Sequence, residues 1–301
     1  MNKENLQKSI SLIGPMSVGK TLLSSELSKR LNMPRISIDE LRTIIGYEMD
    51  NCISLDEKSQ QAFIDNCFEE VEADENLKHT LKDPIYSKKL KEIFNEMVNT
   101  YKYYRELLGD LSPLYPSLKK FNNSCKQISK DPIEFICLSN KFTSDVLNFI
   151  LSKVNTPVIL DFPGPFGWQV EDFYFNDNTS VNKLKKCDYS IDFYDTEEFV
   201  REFLKMSTTV FLHPGQDYEQ RNDSRYIREN KVLSRASLNY SENAHIEIST
   251  NGMFYNPEDL YFKQKKWFDP IERTTKESLL NHGEISNICN QIISHIEELS
   301  M

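Results

Sequence analysis

Glycine is scarce in this chain. Only nine of the 301 residues are Gly, about 3% where ~7% is usual. Four of the nine, Gly14, Gly19, Gly164 and Gly167, fall in two short segments, GPMSVGKT and DFPGPFGW. A sequence this sparing with glycine places it where backbone must turn sharply or approach a ligand closely. Long apolar runs are missing too: none nears the ~18 residues of a membrane span. The opening MNKENLQKSI has none of the apolar stretch of a signal peptide. Basic charge is in deficit, 36 Lys and Arg against 46 Asp and Glu, for a net charge of -10. Such a chain is a poor candidate for nucleic acid, whose binding needs phosphate neutralisation, or for an anionic membrane surface. The six cysteines, Cys52, Cys67, Cys125, Cys137, Cys187 and Cys289, form no CxxC pair and no zinc-spaced set with histidine. Buried reduced thiols, and hence a cytoplasmic location, are expected; a host cytosol fits equally well.

What is present is core material. Hydrophobic residues make up 39%, including 18 Phe and 14 Tyr, which excludes global disorder. The length suggests one large domain or two modest ones.

The chemistry starts at residue 10. Ile10-Ser11-Leu12-Ile13 reads as a strand, followed by Gly14-Pro15-Met16-Ser17-Val18-Gly19-Lys20-Thr21 and then LLSSELSKRLN. This is a GxxxxGK[ST] loop between a strand and a helix whose Leu23, Leu27 and Leu31 recur every fourth residue. Asn32 and Pro34 end it. A loop at a helix N-terminus aims backbone N–H groups at phosphate oxygens. Gly14 through Leu22 are therefore candidate nucleotide contacts, with Lys20 reaching the β- and γ-phosphates and the Thr21 hydroxyl bound to Mg²⁺.

Arg35-Ile36-Ser37-Ile38 reads as a second strand, with Asp39-Glu40-Leu41-Arg42 opening a helix. Ligands of open α/β sheets bind at the C-terminal strand ends. There Asp39 can hold or deprotonate an acceptor hydroxyl, and Arg42, a turn on, can meet an anionic group. The competing reading of Asp39 is an ordinary N-cap, and of Arg42 an ordinary surface cation. Thr156 to Asp161 reads as a further strand whose last residue, Asp161, suits the Mg²⁺ shell. Asp161-Phe162-Pro163-Gly164 also matches a GTPase-like DxxG, but no NKxD follows it. Thr209 to Leu212 is another strand, and Ala244 to Ile248 alternates like a last one. Between these two, Arg221, Arg225 and Arg228 share a helical face, as cations on a mobile lid over a transferring phosphoryl would. Arg225 is the central one. A solvated, salt-bridged face is the alternative, with Glu219, Asp223 and Glu229 nearby.

More than a hundred residues of helical texture separate Arg42 from Thr156. Ser54 and Glu57 form a capping-box pattern. Asp83-Pro84 and Asp131-Pro132 open two later helices. Residues 109 to 116 read as a Pro-punctuated loop, and Tyr101, Tyr103 and Tyr104 as core and interface. An extra strand is expected near Tyr189 to Phe193, and a closing helix over Glu284 to Leu299.

Taken together, SISLIGPMSVGKT and ISIDELR resemble the P-loop small-molecule kinases, shikimate kinase most. That family carries two acids separated by one residue; here Ser37 stands at the first and Asp39 matches the second, the family's substrate-hydroxyl ligand. VILDFPGPFG stands where the family has a glycine triplet, so the resemblance places Gly164 and Gly167 at the acceptor. YSENAHIEIST is similar to the stretch leading into the family's last strand. IDELR is also similar to the acidic-x-x-Arg motif of polynucleotide kinases and zeta-toxin-like kinases.

The expected fold is a P-loop NTPase α/β/α sandwich with a mostly parallel sheet. The kinase core would be 1–45 plus 156–301, and a helical insertion, 46–155, would follow the second strand. The expected activity is ATP- and Mg²⁺-dependent phosphoryl transfer to a hydroxyl of a small-molecule acceptor, with Lys20, Asp39 and Arg225 as catalytic groups. The alternatives are a polynucleotide or nucleotide-sugar kinase, and a nucleotide-dependent switch whose insertion engages a protein partner.

Overall fold

The computed structural model describes residues 1–14, 18–49, 84–125, 132–162, 199–213, 244–250, 252–253 and 280–300. In chain order these form α1 (Lys3–Gln7), β1 (Ile10–Ile13), α2 (Lys20–Leu31), β2 (Arg35–Ser37) and α3 (Ile38–Met49). Then come α4 (Pro84–Leu108), a 3-10 turn (Ser112–Leu114), α5 (Tyr115–Cys125), α6 (Pro132–Lys153) and β3 (Ile159–Asp161). Helical turns at 199–206 lead into β4 (Thr208–His213), followed by β5 (Ile246–Ser249) and α7 (His282–Ser300).

The five strands form one sheet in the order β2-β3-β1-β4-β5, and every pairing is parallel. Parallel sheets need both faces covered, and the side-chain alternation shows how this is done. Ile10 and Leu12 of β1, Ile159 of β3, and Val210 and Leu212 of β4 pack with Leu23 and Leu27 of α2 and with Ile285, Ile288 and Ile292 of α7. The opposite set, Ile13, Ile36, Leu160 and Phe211, packs with Leu41 and Ile45 of α3, Tyr104 of α4, Phe121 of α5 and Val146 and Ile150 of α6. The result is a three-layer α/β/α arrangement. The chain leaves β1 toward β2 on one side and β3 toward β4 on the other. Right-handed crossovers in opposite directions put the connecting helices on opposite faces. A crevice therefore opens at the C-terminal ends of β1 and β3.

Local chemistry sets the element ends. Asn32 takes a left-handed conformation, φ 50°, and closes α2. β2 is one residue shorter than expected because Ile38 already belongs to α3. Among the described residues β2 is also an edge strand, and two tyrosines of α4 cover that edge. Tyr103 Oη accepts from Arg35 N–H at 2.9 Å and donates to Arg35 C=O at 2.7 Å. Tyr104 Oη accepts from Ser37 N–H at 3.0 Å and is within 3.3 Å of Ser37 C=O. An exposed row of backbone donors and acceptors is thereby closed. Tyr104 is fully buried, and its ring meets that of Tyr103 edge-on at 5.3 Å, in keeping with a core and interface role.

The stretch read as a loop at 109–116 becomes helical. Pro113 lies in the 3-10 turn and Pro116 in the first turn of α5, where a missing N–H costs nothing. The capping-box pattern at Ser54 and Glu57 and the strand expected at 189–193 lie outside the described residues. Among the described residues no helix is long and apolar enough to cross a membrane.

Candidate functional site

Because all strands run the same way, their C-terminal ends share one edge, and the candidate residues gather there. β1 runs into Gly14, which has φ +146°; a Cβ at Gly14 would lie 2.6 Å from the Leu212 carbonyl oxygen. Only glycine lets the chain turn this closely beside β4. Gly19 caps α2 in a left-handed conformation and supplies no side-chain hydrogen bond. The cap leaves the first N–H groups of α2 to be met by something other than a side chain of Gly19. Leu22, half buried, packs on the α2 face of the core, and Val18 is fully buried.

Lys20, in the first turn of α2, is 7% exposed, and its Nζ donates to Gly14 C=O at 2.9 Å. Burial pushes its pKa down, while the charges of Asp161 and Asp39 push it back up. The ammonium thus draws its support from two carboxylates, one in the first turn of α3 and one at the end of β3.

Asp161 ends β3 and is 3% exposed. Burial raises its pKa; Lys20, a hydrogen bond from the Thr21 hydroxyl and the Arg35 charge oppose that rise, and Asp39 adds to it. Its Oδ2 is buried without a hydrogen-bond partner. An unmet carboxylate oxygen at such depth is costly, so it marks a place built for a further polar group.

Asp39 is the second residue of α3, and it is not the N-cap. That position belongs to Ser37, whose Oγ faces the Glu40 N–H at 3.5 Å. The Asp39 carboxylate is left for other partners: its Oδ1 lies 3.2 Å from Arg42 Nη2. Burial raises the Asp39 pKa, Arg42 and Lys20 lower it, and Glu40 raises it further. The Arg42 guanidinium also sits over the Phe121 ring, 5.4 Å from its centroid. The insertion helix α5 thereby touches the rim of the site.

Three residues that sequence reasoning passed over stand beside these. Arg35 was read only as a strand residue, yet its side chain is 16% exposed. It donates from Nη1 and Nη2 to both oxygens of Glu40, at 3.0 and 2.8 Å, and from Nε to Ser24 Oγ at 2.7 Å. Its Nη2 also lies 3.6 Å from Asp161 Oδ2. Burial disfavours the charge, but Glu40, with Tyr104 and Asp161, outweighs that and the Arg35 pKa is raised. The one available signal was an arginine opening a short strand with a glutamate five residues on.

Lys20, Thr21, Asp39 and Asp161 are thus brought together, with Arg42 on the rim. Pro15, Met16, Ser17, Gly164, Gly167, Arg221, Arg225 and Arg228 lie outside the described residues. No set of three or more His, Cys, Asp or Glu side chains placed to hold a metal occurs among the described residues. Asp161 and Thr21 offer oxygen atoms of the kind that Mg²⁺ takes alongside ligand or water oxygens. Compared with known proteins, the chain matches no family model, no curated protein and no solved structure.

Proposed function

We propose that this chain is an ATP-dependent kinase of P-loop type that moves the γ-phosphoryl group to a hydroxyl of a small-molecule acceptor. One observation carries the reading. A buried lysine at the start of α2 feels the charges of two carboxylates, Asp39 in the first turn of α3 and Asp161 at the end of β3, beside a glycine that only a close backbone approach explains.

Each residue then has a task. Gly14, Gly19 and the N-terminal end of α2 cradle phosphate oxygens. Lys20 supplies positive charge where charge builds up during transfer. Thr21 and the unmet Asp161 oxygen fit a hydrated Mg²⁺, the one by its hydroxyl and the other through a water. When bound, Mg²⁺ neutralises phosphate charge and orients the γ-phosphoryl group. Asp39 holds the acceptor hydroxyl in line and takes its proton. Arg42, braced by Phe121, pairs with Asp39 and faces the acceptor.

The test is acceptor-dependent ADP release with Mg·ATP across hydroxylated metabolites and nucleosides. Release stimulated by one acceptor supports the kinase. Nucleotide binding with no stimulation by any acceptor favours a nucleotide-dependent binding protein. No thermal shift at millimolar Mg·ATP would remove both.

A further inference from the structure

Arg35 joins three of the elements that build the site. It starts on β2, reaches Ser24 on α2, takes Glu40 from α3 and faces Asp161 at the end of β3. Ser24, fully buried, passes the contact on, since its Oγ donates to the Thr21 carbonyl at 2.9 Å. The Thr21 hydroxyl stands next to the Asp161 carboxylate and favours its charged form. Arg35, Ser24, Thr21 and Asp161 thus form a closed ring.

The division of partners within the ring matters. A buried guanidinium facing a buried carboxylate normally closes into a two-pronged pair. Here Nη1 and Nη2 each donate to Glu40, while Asp161 Oδ2 stands 3.6 Å from Nη2 and makes no hydrogen bond. Arg35 steers this oxygen without consuming it.

We infer that Arg35, clamped by Glu40, is a positioning residue that keeps the Thr21 hydroxyl and the free Asp161 oxygen in register to serve one Mg²⁺ ion of a bound nucleotide. The inference rests on the nucleotide reading above. Arg35 touches neither nucleotide nor acceptor. Its removal loosens the metal shell while leaving the backbone cradle in place.

The experiment is calorimetric titration of ADP into the full chain, in EDTA and across a Mg²⁺ series, for wild type, Arg35→Met and Glu40→Gln. Outer-shell partners of metal ligands typically change metal affinity by 10–100-fold. Arg35→Met is expected to raise the Mg²⁺ concentration at half-effect by roughly tenfold or more, with ADP affinity in EDTA within a few-fold of wild type. Glu40→Gln is expected to shift it in the same direction, because a freed Arg35 closes onto Asp161. A folded Arg35→Met protein with the wild-type Mg²⁺ response would overturn the inference. So would an equal loss of ADP affinity with and without Mg²⁺, which marks a merely structural role. If Arg35→Met does not fold, Glu40→Gln carries the test with the same two outcomes. Wild type that binds no ADP under either condition defeats the nucleotide reading, and this inference falls with it.

Discussion

Lys20 and Asp161 lie deep between β1 and β3, whereas Asp39 and Arg42 stand on the rim at the start of α3. The first two are 7% and 3% exposed, while the Asp39 and Arg42 side chains are 43% and 39% exposed. The difference is one of electrostatic setting. A buried charge is expensive unless paired, so Lys20 depends on Asp161, and Asp161 on Lys20, Thr21 and Arg35. A rim pair such as Asp39–Arg42 is screened by water and stabilises the fold little. Residues kept in the depth must therefore hold one another. Residues on the rim are free to change partners when a ligand arrives. In the proposed kinase the depth serves the nucleotide and the rim serves the acceptor.

Substitutions should separate the two regions, and the largest effects fall on rate. Asp39→Asn keeps the shape of the rim but removes the base. It is expected to cut transfer by roughly 10²–10⁴ while ATP affinity stays within a few-fold, as steady-state kinetics and calorimetry can show. Lys20→Ala is expected to lower kcat by about 10²–10³ and to weaken ATP binding as well. Equal losses of ATP affinity in the two variants would erase the distinction between depth and rim.

Acidity gives a second contrast. Burial raises the pKa of both Asp39 and Asp161. Transfer is therefore expected to fall on acidification at a pH above the ordinary Asp value of about 3.9, with an apparent pKa that belongs to the coupled pair. For stability the sign is opposite. A carboxyl whose pKa is raised by folding is held more easily in its protonated form. These two groups thus favour the fold at low pH and cost stability as pH rises from the ordinary value through the raised one. A pH series of urea melts on Asp161→Asn should lack part of that slope.

Stability changes come next in size. Gly14→Ala meets a backbone oxygen at 2.6 Å and a strained φ, and is expected to cost about 2–5 kcal/mol. Gly19→Ala shares the strained φ, at +96°, but its Cβ faces the end of the flexible Met253 side chain rather than backbone, and it should cost less in the same denaturation assay. Smaller again is the pair at the β2 edge. Tyr104→Phe strands the Ser37 N–H in the core, at about 1–3 kcal/mol. Tyr103→Phe leaves an edge that water reaches, at about 0.5–1.5 kcal/mol.

The glycine turn, Lys20, Thr21 and the acids at the strand ends were legible in the sequence because each rests on a local signal. Gly14 and Gly19 sit in a fixed spacing, Asp161 closes the apolar run Val158-Ile159-Leu160, and Asp39 follows the short strand-like Ile36-Ser37-Ile38. The Arg35 ring was not legible, because Arg35, Ser24, Thr21 and Asp161 are joined only once β2 and β3 pair and α2 packs on them. The helix Tyr115–Cys125 was missed for a different reason. Its one proline, Pro116, stands in the first turn, where proline starts a helix rather than breaking it. Ser37 as the cap of α3 also escaped notice, since Asp39 two residues on is an equally good capping residue by type.

The most direct measurement is calorimetric titration of Mg·ATP into wild type, Lys20→Ala and Asp39→Asn side by side. Wild type is expected to bind, Asp39→Asn to bind within a few-fold of it, and Lys20→Ala to bind far more weakly. Wild type that takes up no Mg·ATP at millimolar concentration would contradict the account.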